Sequence, residues 1–570
     1  MRSMVRPLPR VAILGLVIAT LAWAGTPAPA PAQDTLLEDI VFRSLEVTAE
    51  IKPVTYRESC TPGDRVPGLP PPPPVCRVLS FGSVVGKTVA QLQVTSPTPV
   101  STVRMFIEPS YRLRVAADVP VTLRREPPYF VLIFNPALRP GATLAVTFEY
   151  DGETFPVYEE FIWVGAGDLY PILISPFDDF YSANRGTVKT TITIPARYQL
   201  ASSGRVTRQE RGAMQVYQWE TVERVANVSV IGGNVFRSLE RKAGDLTLSL
   251  LLKSRDDRFA DKIAEYAQRS AEYYGTLLFP FPFNQLTVVS APLGRGLLGV
   301  AFPGSMLITE DAFTGGLGRG YDRDSYRLLV VAHEAAHTYF PYQVSGRGIA
   351  ERWLSEGFAE YLGLMTVENM LGPRAFRLEL DEDRAWYARA SRSDRPLGSY
   401  TWINRGPEYP GVIYAKGAFI LHMLRFVVGP ETFERILKAY ATRYRDQSVR
   451  VDDFARTASE VAGRDLTWYF QQWIYDRVLP DYTITDITSA PAEDGFRTTV
   501  RVRNAGSGRM PVDVLLELEG GEKVSKRVEV GSGTTVGVTE ATPRRVIRAE
   551  VDPEKWLLQS NYTNDAATAR

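Results

Sequence analysis

The stretch His333-Glu334-Ala335-Ala336-His337 sets two imidazoles four positions apart, behind the apolar run Leu328–Ala332. On a helix, positions i and i+4 share one face. His333 and His337 can therefore each give a ring nitrogen to one zinc ion, at about 2.0–2.1 Å. Glu334 is turned one residue away, toward a water on the metal rather than the metal itself, which is the place of a general base. A catalytic zinc of this kind takes a third protein ligand and keeps a fourth position open. Glu356 supplies the third ligand. The eighteen residues 338–355 let the first helix end near Pro341, a loop run through Ser345-Gly346-Arg347-Gly348, and a second helix return past the metal. The chain has only 3 histidines, and this pentapeptide uses two of them. The third, His422 in Phe419–Phe426, reads as a core residue of its helix.

His-Glu-x-x-His, eighteen residues, then Glu within Trp353-Leu354-Ser355-Glu356-Gly357-Phe358-Ala359 resembles the signature of the alanyl aminopeptidase and leukotriene hydrolase family of zinc metallopeptidases. Tyr414-Ala415-Lys416-Gly417-Ala418 is similar to that family's Tyr-x-Lys-Gly-Ala. The resemblance implies that Tyr414 hydrogen-bonds the oxyanion of a tetrahedral intermediate, beside one Zn²⁺ per chain. Such a donor, aimed where charge develops, is a large catalytic term. Pro430–Tyr444 and Gly463–Pro480, with Trp473, look like the family's later helices. The implied fold is multidomain α+β: an N-terminal all-β domain, a thermolysin-like, mainly helical zinc domain, and a C-terminal β-sandwich. Glu360, one turn beyond Glu356, is either support for that ligand or an ordinary helix carboxylate.

One family element departs. Aminopeptidases of this family hold the substrate's free amine with the glutamate of a Gly-Ala-Met-Glu-Asn segment. The corresponding stretch here is Gly299-Val300-Ala301-Phe302-Pro303, followed by Gly304, and by resemblance Gly299–Met306 borders the substrate as an edge strand. Phe302 then stands at the glutamate position, where a phenyl ring offers an ammonium only a weaker cation–π attraction. Glu310 and Asp311 are nearby acids that could take its place. The expected reaction is peptide hydrolysis with exopeptidase specificity open. An endopeptidase, or an amide or epoxide hydrolase on the same site, is an alternative. A non-catalytic, zinc-stabilised envelope-binding protein is another, against which the retained Glu334 argues. Larger family members carry a helical domain after the sandwich. Here about ten residues follow it, so a more open cleft is expected.

The surrounding pattern supplies elements to position these groups. From Thr35 to Leu248 short alternating runs dominate, as where Val188, Thr190, Ile192 and Ile194 interleave with Thr187, Lys189, Thr191 and Thr193; Val103–Ile107, Tyr129–Phe134 and Thr143–Tyr150 are similar. Near Ser254 the period changes: Ser254 is a suitable helix cap, Asp256 and Asp257 suit a first turn, and Phe259, Ile263, Tyr266, Ser270 and Tyr273 form an apolar stripe. Helical periods continue to about Arg477, interrupted by a strand-like Gln285–Ser290. Phe496, Thr498, Val500 and Val502, then Val512, Val514, Leu516 and Leu518, alternate around a turn at Asn504–Gly508. The expected organisation is 1–32 export signal and linker, 33–248 β domain, 249–480 zinc peptidase domain, 481–560 β-sandwich and 561–570 frayed tail.

Composition narrows the partners and compartment. With 65 Lys+Arg against 65 Asp+Glu over 570 residues, there is no basic excess for a phosphate backbone, so nucleic acid is an unsuitable partner and a peptide or protein substrate the expected one. Met1–Arg10 carries three arginines and no acid, and the 14 apolar residues Val11–Ala24 are too few to span a bilayer. This reads as a cleavable export signal with no stable membrane span afterwards, and hence a periplasmic or extracellular protein. The only two cysteines, Cys60 and Cys76, flank a loop containing Pro70–Pro74 and are candidates for a disulfide in an oxidising compartment.

Overall fold

Thr187–Pro195 forms a strand with Val188, Thr190, Ile192 and Ile194 buried, the period-two pattern acting as expected. It pairs in parallel with Ile40–Lys52 and antiparallel with Met214–Glu220, inside a seven-stranded sheet. The computed structural model describes residues 39–61, 75–173, 185–253, 255–256, 258–294, 296–318, 320–400 and 406–569. The proposed export signal lies outside the described residues. Strands Val100–Phe106, Tyr129–Leu138 and Thr143–Thr154 appear where alternation placed them. Their inward residues join one apolar core with Val47, Leu92, Phe148, Ile192 and Tyr217. Glu58–Thr61 and Val75–Val78 pair antiparallel with Cys60 opposite Cys76; the proline-rich loop and both cysteine side chains lie outside the described residues.

The chain divides into two compact units: one of residues up to Gly348 with Tyr444–Ser448, the other of Ile349–Arg443 with Val449–Arg570. The first contains the β region and then a five-stranded sheet. Strands β1 (Phe236–Ala243) and β2 (Leu246–Lys253) form a hairpin, and helix α1 (Ala260–Leu277) leads to β3 (Gln285–Ala291), parallel to β2. Strands β4 (Gly299–Phe302) and β5 (Ser305–Thr309) complete the order β1-β2-β3-β5-β4. The boundary expected at 248/249 is therefore corrected: it would cut β2, whose ladder partner is β3. Ser254 and Asp257 lie outside the described residues. Asp256 precedes α1 instead of sitting in its first turn; it is buried and accepts a hydrogen bond from Ser290 Oγ at 2.5 Å. The buried stripe on α1 runs through Ile263, Tyr266, Ser270 and Tyr274, with Tyr274 taking the place expected of Tyr273. Helix α2 (Asp324–Ala336) follows, buried without interruption from Arg327 to Ala336.

The second unit begins with helices α3 (Trp353–Leu371) and α4 (Pro373–Ala390). A π-helical turn at Gly411–Lys416 runs into helix α5 (Gly417–Val428). Among the described residues Gly411–Val428 is the one helical stretch long and apolar enough to cross a membrane, and 78% of it is buried inside the protein. After Tyr482 come sheets of three and four strands, with Val500, Val502, Val512, Val514, Leu516 and Leu518 buried as their alternation required. The expected frayed tail is corrected. Ala566–Thr568 pairs with Val546–Val551, and Asp565 is buried and ion-paired to Lys555 at 2.5 Å, so backbone and side-chain bonds hold this segment.

Candidate metal centre

Helix α2 is fixed along its length before it presents its histidines. Arg327, 1% exposed, donates to the Ala312 carbonyl at 2.8 Å and lies 3.7 Å over the Phe259 ring. Tyr274 Oη donates to the Ala332 carbonyl at 3.0 Å. His333 occupies the last turn and His337 the C-cap, still with helical dihedrals, so the i,i+4 relationship survives the helix end. The two imidazole centroids are 4.8 Å apart. His337 Nδ1 lies 2.7 Å from the Phe340 carbonyl. An Nδ1–H donated to that carbonyl leaves Nε2 as the ligating nitrogen, the usual way a ligand imidazole is oriented.

The loop after His337 is held from the N-terminal β region. Arg185, 1% exposed, donates to the carbonyls of Gln343 at 2.7 Å and Pro341 at 3.1 Å, and pairs with Asp446 at 3.3 Å. Buried carbonyls need such partners. The sequence carried no signal for this arginine, because its acceptors lie more than 150 positions away.

Strand β4 lies beside the general-base candidate. A Cβ on Gly299 would stand 2.4 Å from Glu334 Cγ and Oε1, so only glycine leaves that carboxylate its place. Ala301 is tied down through its carbonyl, which accepts from Tyr342 Oη at 2.7 Å. The edge strand expected over Gly299–Met306 is shorter than that. Pro303 and Gly304, with Gly304 at φ 71°, make the hairpin turn, and Met306 belongs to β5, which is flanked on both sides. A proline followed by a positive-φ glycine suits a type II turn. Phe302 is buried in an apolar cluster, edge-on to Trp163 at 5.9 Å, and Val300 packs against the same cluster. Glu310 is bonded to Lys253 at 3.0 Å and to Arg255. Burial raises its carboxyl, but the two cations more than offset this and hold it below the usual range. That pairing already occupies its charge. Asp311 follows on the same short helix, Glu310–Thr314.

In the second unit Glu356 lies in the first turn of α3, 4% exposed. Arg352, one turn earlier, reaches Glu356 Oε1 with Nε at 3.0 Å and Nη2 at 2.8 Å. Their i,i+4 spacing is the one sequence signal for this pair. Glu360 is 8% exposed, which excludes a solvated carboxylate. Gly357 and Gly417 meet backbone to backbone; a Cβ on either would stand within 3.0 Å of the other's Cα. Their two motifs are thus packed against each other. Tyr414 is half-buried in the π-helical turn with its ring 5.8 Å from that of Trp386. Such turns recur at functional sites. Lys416, fully buried, pairs with Asp394 at 2.9 Å, and Tyr387 Oη donates to the same carboxylate at 2.8 Å. Burial lowers the Lys416 ammonium pKa, and Asp394 opposes that shift. His422 is a core residue: 2% exposed, 3.1 Å from Tyr361 Oη through Nδ1, and stacked on Trp556 at 4.4 Å.

His333, His337 and Glu356 are the one set of potential metal ligands found among the described residues, and all three are buried. Two imidazoles and one carboxylate are a zinc donor set that leaves a fourth position open. The His337–Phe340 bond supplies the expected outer partner. The residues present therefore fit zinc.

These residues are a candidate zinc site in a chain with an N-terminal β-rich region, a helical middle region and C-terminal strands. Residues 304–473 match the peptidase family M1 domain, a span that takes in His333, Glu334, His337, Glu356 and Tyr414. The chain is 22% identical over 374 residues to Tricorn protease-interacting factor F2 of Thermoplasma acidophilum, covering 63% of this chain and 46% of that one. It is 28% identical over 177 residues to aminopeptidase N of Caulobacter vibrioides, covering 30% and 20%. It thus spans less than half the length of these relatives. An M1 zinc metallopeptidase from Deinococcus radiodurans has the same fold, with a TM-score of 0.58 and 18% identity over 78% of this chain and 95% of that one. The likeness to peptidase family M1 thus covers residues 304–473 by sequence and most of the chain by fold.

Proposed function

We propose that this protein is an exported metallopeptidase that hydrolyses peptide bonds with His333, His337 and Glu356 holding one zinc. The observation that carries the reading is this buried set of potential ligands, with Glu334 beside His333 in the last turn of helix α2. Bound there, zinc would supply Lewis-acid polarisation and make water nucleophilic near neutral pH. Glu334 takes the proton from the attacking water and passes it to the leaving amine. Tyr414 donates its O–H to the oxyanion. Strand β4 lines the base side, and Gly299 leaves room for Glu334.

The reading includes a weakened demand for a free amino terminus. Phe302 packs against Trp163, and Glu310 is paired with Lys253 and Arg255, so neither offers an unpaired carboxylate to an ammonium. The test is hydrolysis of matched fluorogenic peptides with free and blocked amino termini by the zinc-loaded protein and by Glu334→Gln. Cleavage of both peptide types by wild type, and of neither by the variant, is the expected result. Cleavage confined to free amino termini would remove the specificity reading, and no cleavage by wild type across a broad peptide library would remove the enzyme reading.

Export is supported by Met1–Ala24 and by the opposed register of Cys60 and Cys76, since directly opposed cysteines on antiparallel strands can meet disulfide geometry. Titration of the denatured, unreduced mature protein should find no free thiol; two would contradict it.

A further inference from the structure

Arg464, Arg509 and Arg527 line one cleft of about 330 Å³ in the second unit. They come from separate stretches: Arg464 follows the helix Val451–Ala462, Arg509 precedes the strand Met510–Leu518, and Arg527 lies on the strand Lys523–Val530. Each guanidinium is already oriented. Arg464 Nη2 donates to the Val427 carbonyl in the last turn of α5. The Arg509 guanidinium lies 5.0 Å over the Trp468 ring, and that of Arg527 lies 4.0 Å over Phe426. Arg527 also grips both oxygens of Asp513, at 2.7 and 2.9 Å.

This positive charge is only partly answered. Asp513 neutralises Arg527. Arg509 meets Glu529 at 3.3 Å, but these side chains are 51% and 54% exposed, and a pair so open to water is weak. Among the described residues Arg464 has no carboxylate partner; its acceptor is a carbonyl at a helix C-terminus, which carries only about half a negative charge. Three cations against two acids leave the cleft positive. We propose that it binds a small organic anion, a phosphate or carboxylate group on a short apolar stem. Guanidinium forks suit either headgroup. Val427 and Pro511 line the same cleft and offer apolar surface to the stem. The volume falls at the lower end of the range of about 300–1,000 Å³ for small-ligand sites. Glu529 competes with the ligand for Arg509. The proposal stands apart from the zinc reading, because none of these residues is a candidate metal ligand.

The test is calorimetric titration of the full chain with phenyl phosphate and with phenylacetate, at constant low ionic strength. Wild type is compared with Arg464→Gln, Arg509→Gln and Glu529→Gln, and thermal unfolding checks that each variant folds. Wild type is expected to bind at least one probe saturably, with phenyl phosphate the tighter of the two because it carries nearly twice the charge. Arg464→Gln and Arg509→Gln should each weaken that binding by about tenfold or more, the scale of one lost charge-assisted hydrogen bond. Glu529→Gln removes a competing carboxylate and should tighten it by about threefold. Binding of phenyl phosphate alone supports the site and assigns it a phosphate headgroup; binding of phenylacetate as well supports it and extends it to carboxylates. If one arginine variant does not fold, the other and Glu529→Gln carry the comparison. No saturable binding of either probe by wild type overturns the proposal. Binding that is unchanged in the folded arginine variants overturns it too, since the anion would then sit elsewhere.

Discussion

Gly299 on the edge strand faces Glu334 on helix α2 so closely that a single added carbon would stand 2.4 Å from the glutamate's Cγ and Oε1. The contact is with the far part of a flexible side chain, so the fold can absorb it by moving the carboxylate. Gly299→Ala is therefore expected to fold and bind zinc as wild type does while kcat falls by about 10²-fold, the usual scale for displacing a catalytic group by an ångström. Steady-state kinetics beside a melting curve check this. Unchanged kcat would separate Gly299 from the base.

Lys416 and Asp394 form a fully buried ion pair close to Tyr414. Removing one partner leaves the other charged in a dry interior, so Lys416→Met should destabilise the protein by about 3–5 kcal/mol. The double variant Lys416→Met/Asp394→Leu should recover most of that loss, although Tyr387 also loses its acceptor. Urea denaturation of the single and double variants decides it; no recovery would mean that packing rather than charge sets the cost.

His422 is buried, with Arg425 and Arg384 adding to the effect, and its pKa is pushed well below 6.5. A base depressed in the folded state contributes stability above its unfolded pKa and loses it as pH falls below that value. The margin of wild type over His422→Phe should therefore shrink between pH 7.5 and 5.5, by up to about 1 kcal/mol. Denaturant midpoints at the two pH values test the sign. A margin that grows toward acid pH would contradict a neutral, buried His422.

The candidate metal ligands were legible because their logic is local: one helix and its C-cap carry His333, Glu334 and His337, and a spacer leads to Glu356. The β regions were legible where one face is buried and the other wet, as at Val188–Ile194. Strands buried on both faces, such as β5, show no alternation and are hidden within a region of helical periods. The pairing of β2 with β3, which moves the domain boundary, depends on a crossover that no local pattern reveals. Phe302 was placed by analogy at a substrate position, but its packing against Trp163 depends on a partner 139 positions away. Lys416 was visible within a motif, whereas its role emerged only with Asp394 beside it.

The proposed activity requires that His333, His337 and Glu356 hold a metal. Zinc content measured per chain for purified wild type, Glu334→Gln and His333→Ala tests this directly. The expected values are about one zinc in wild type and in Glu334→Gln, whose ligands are intact, and close to none in His333→Ala. A wild type that takes up no zinc, or a folded His333→Ala that retains a full equivalent, would contradict the account.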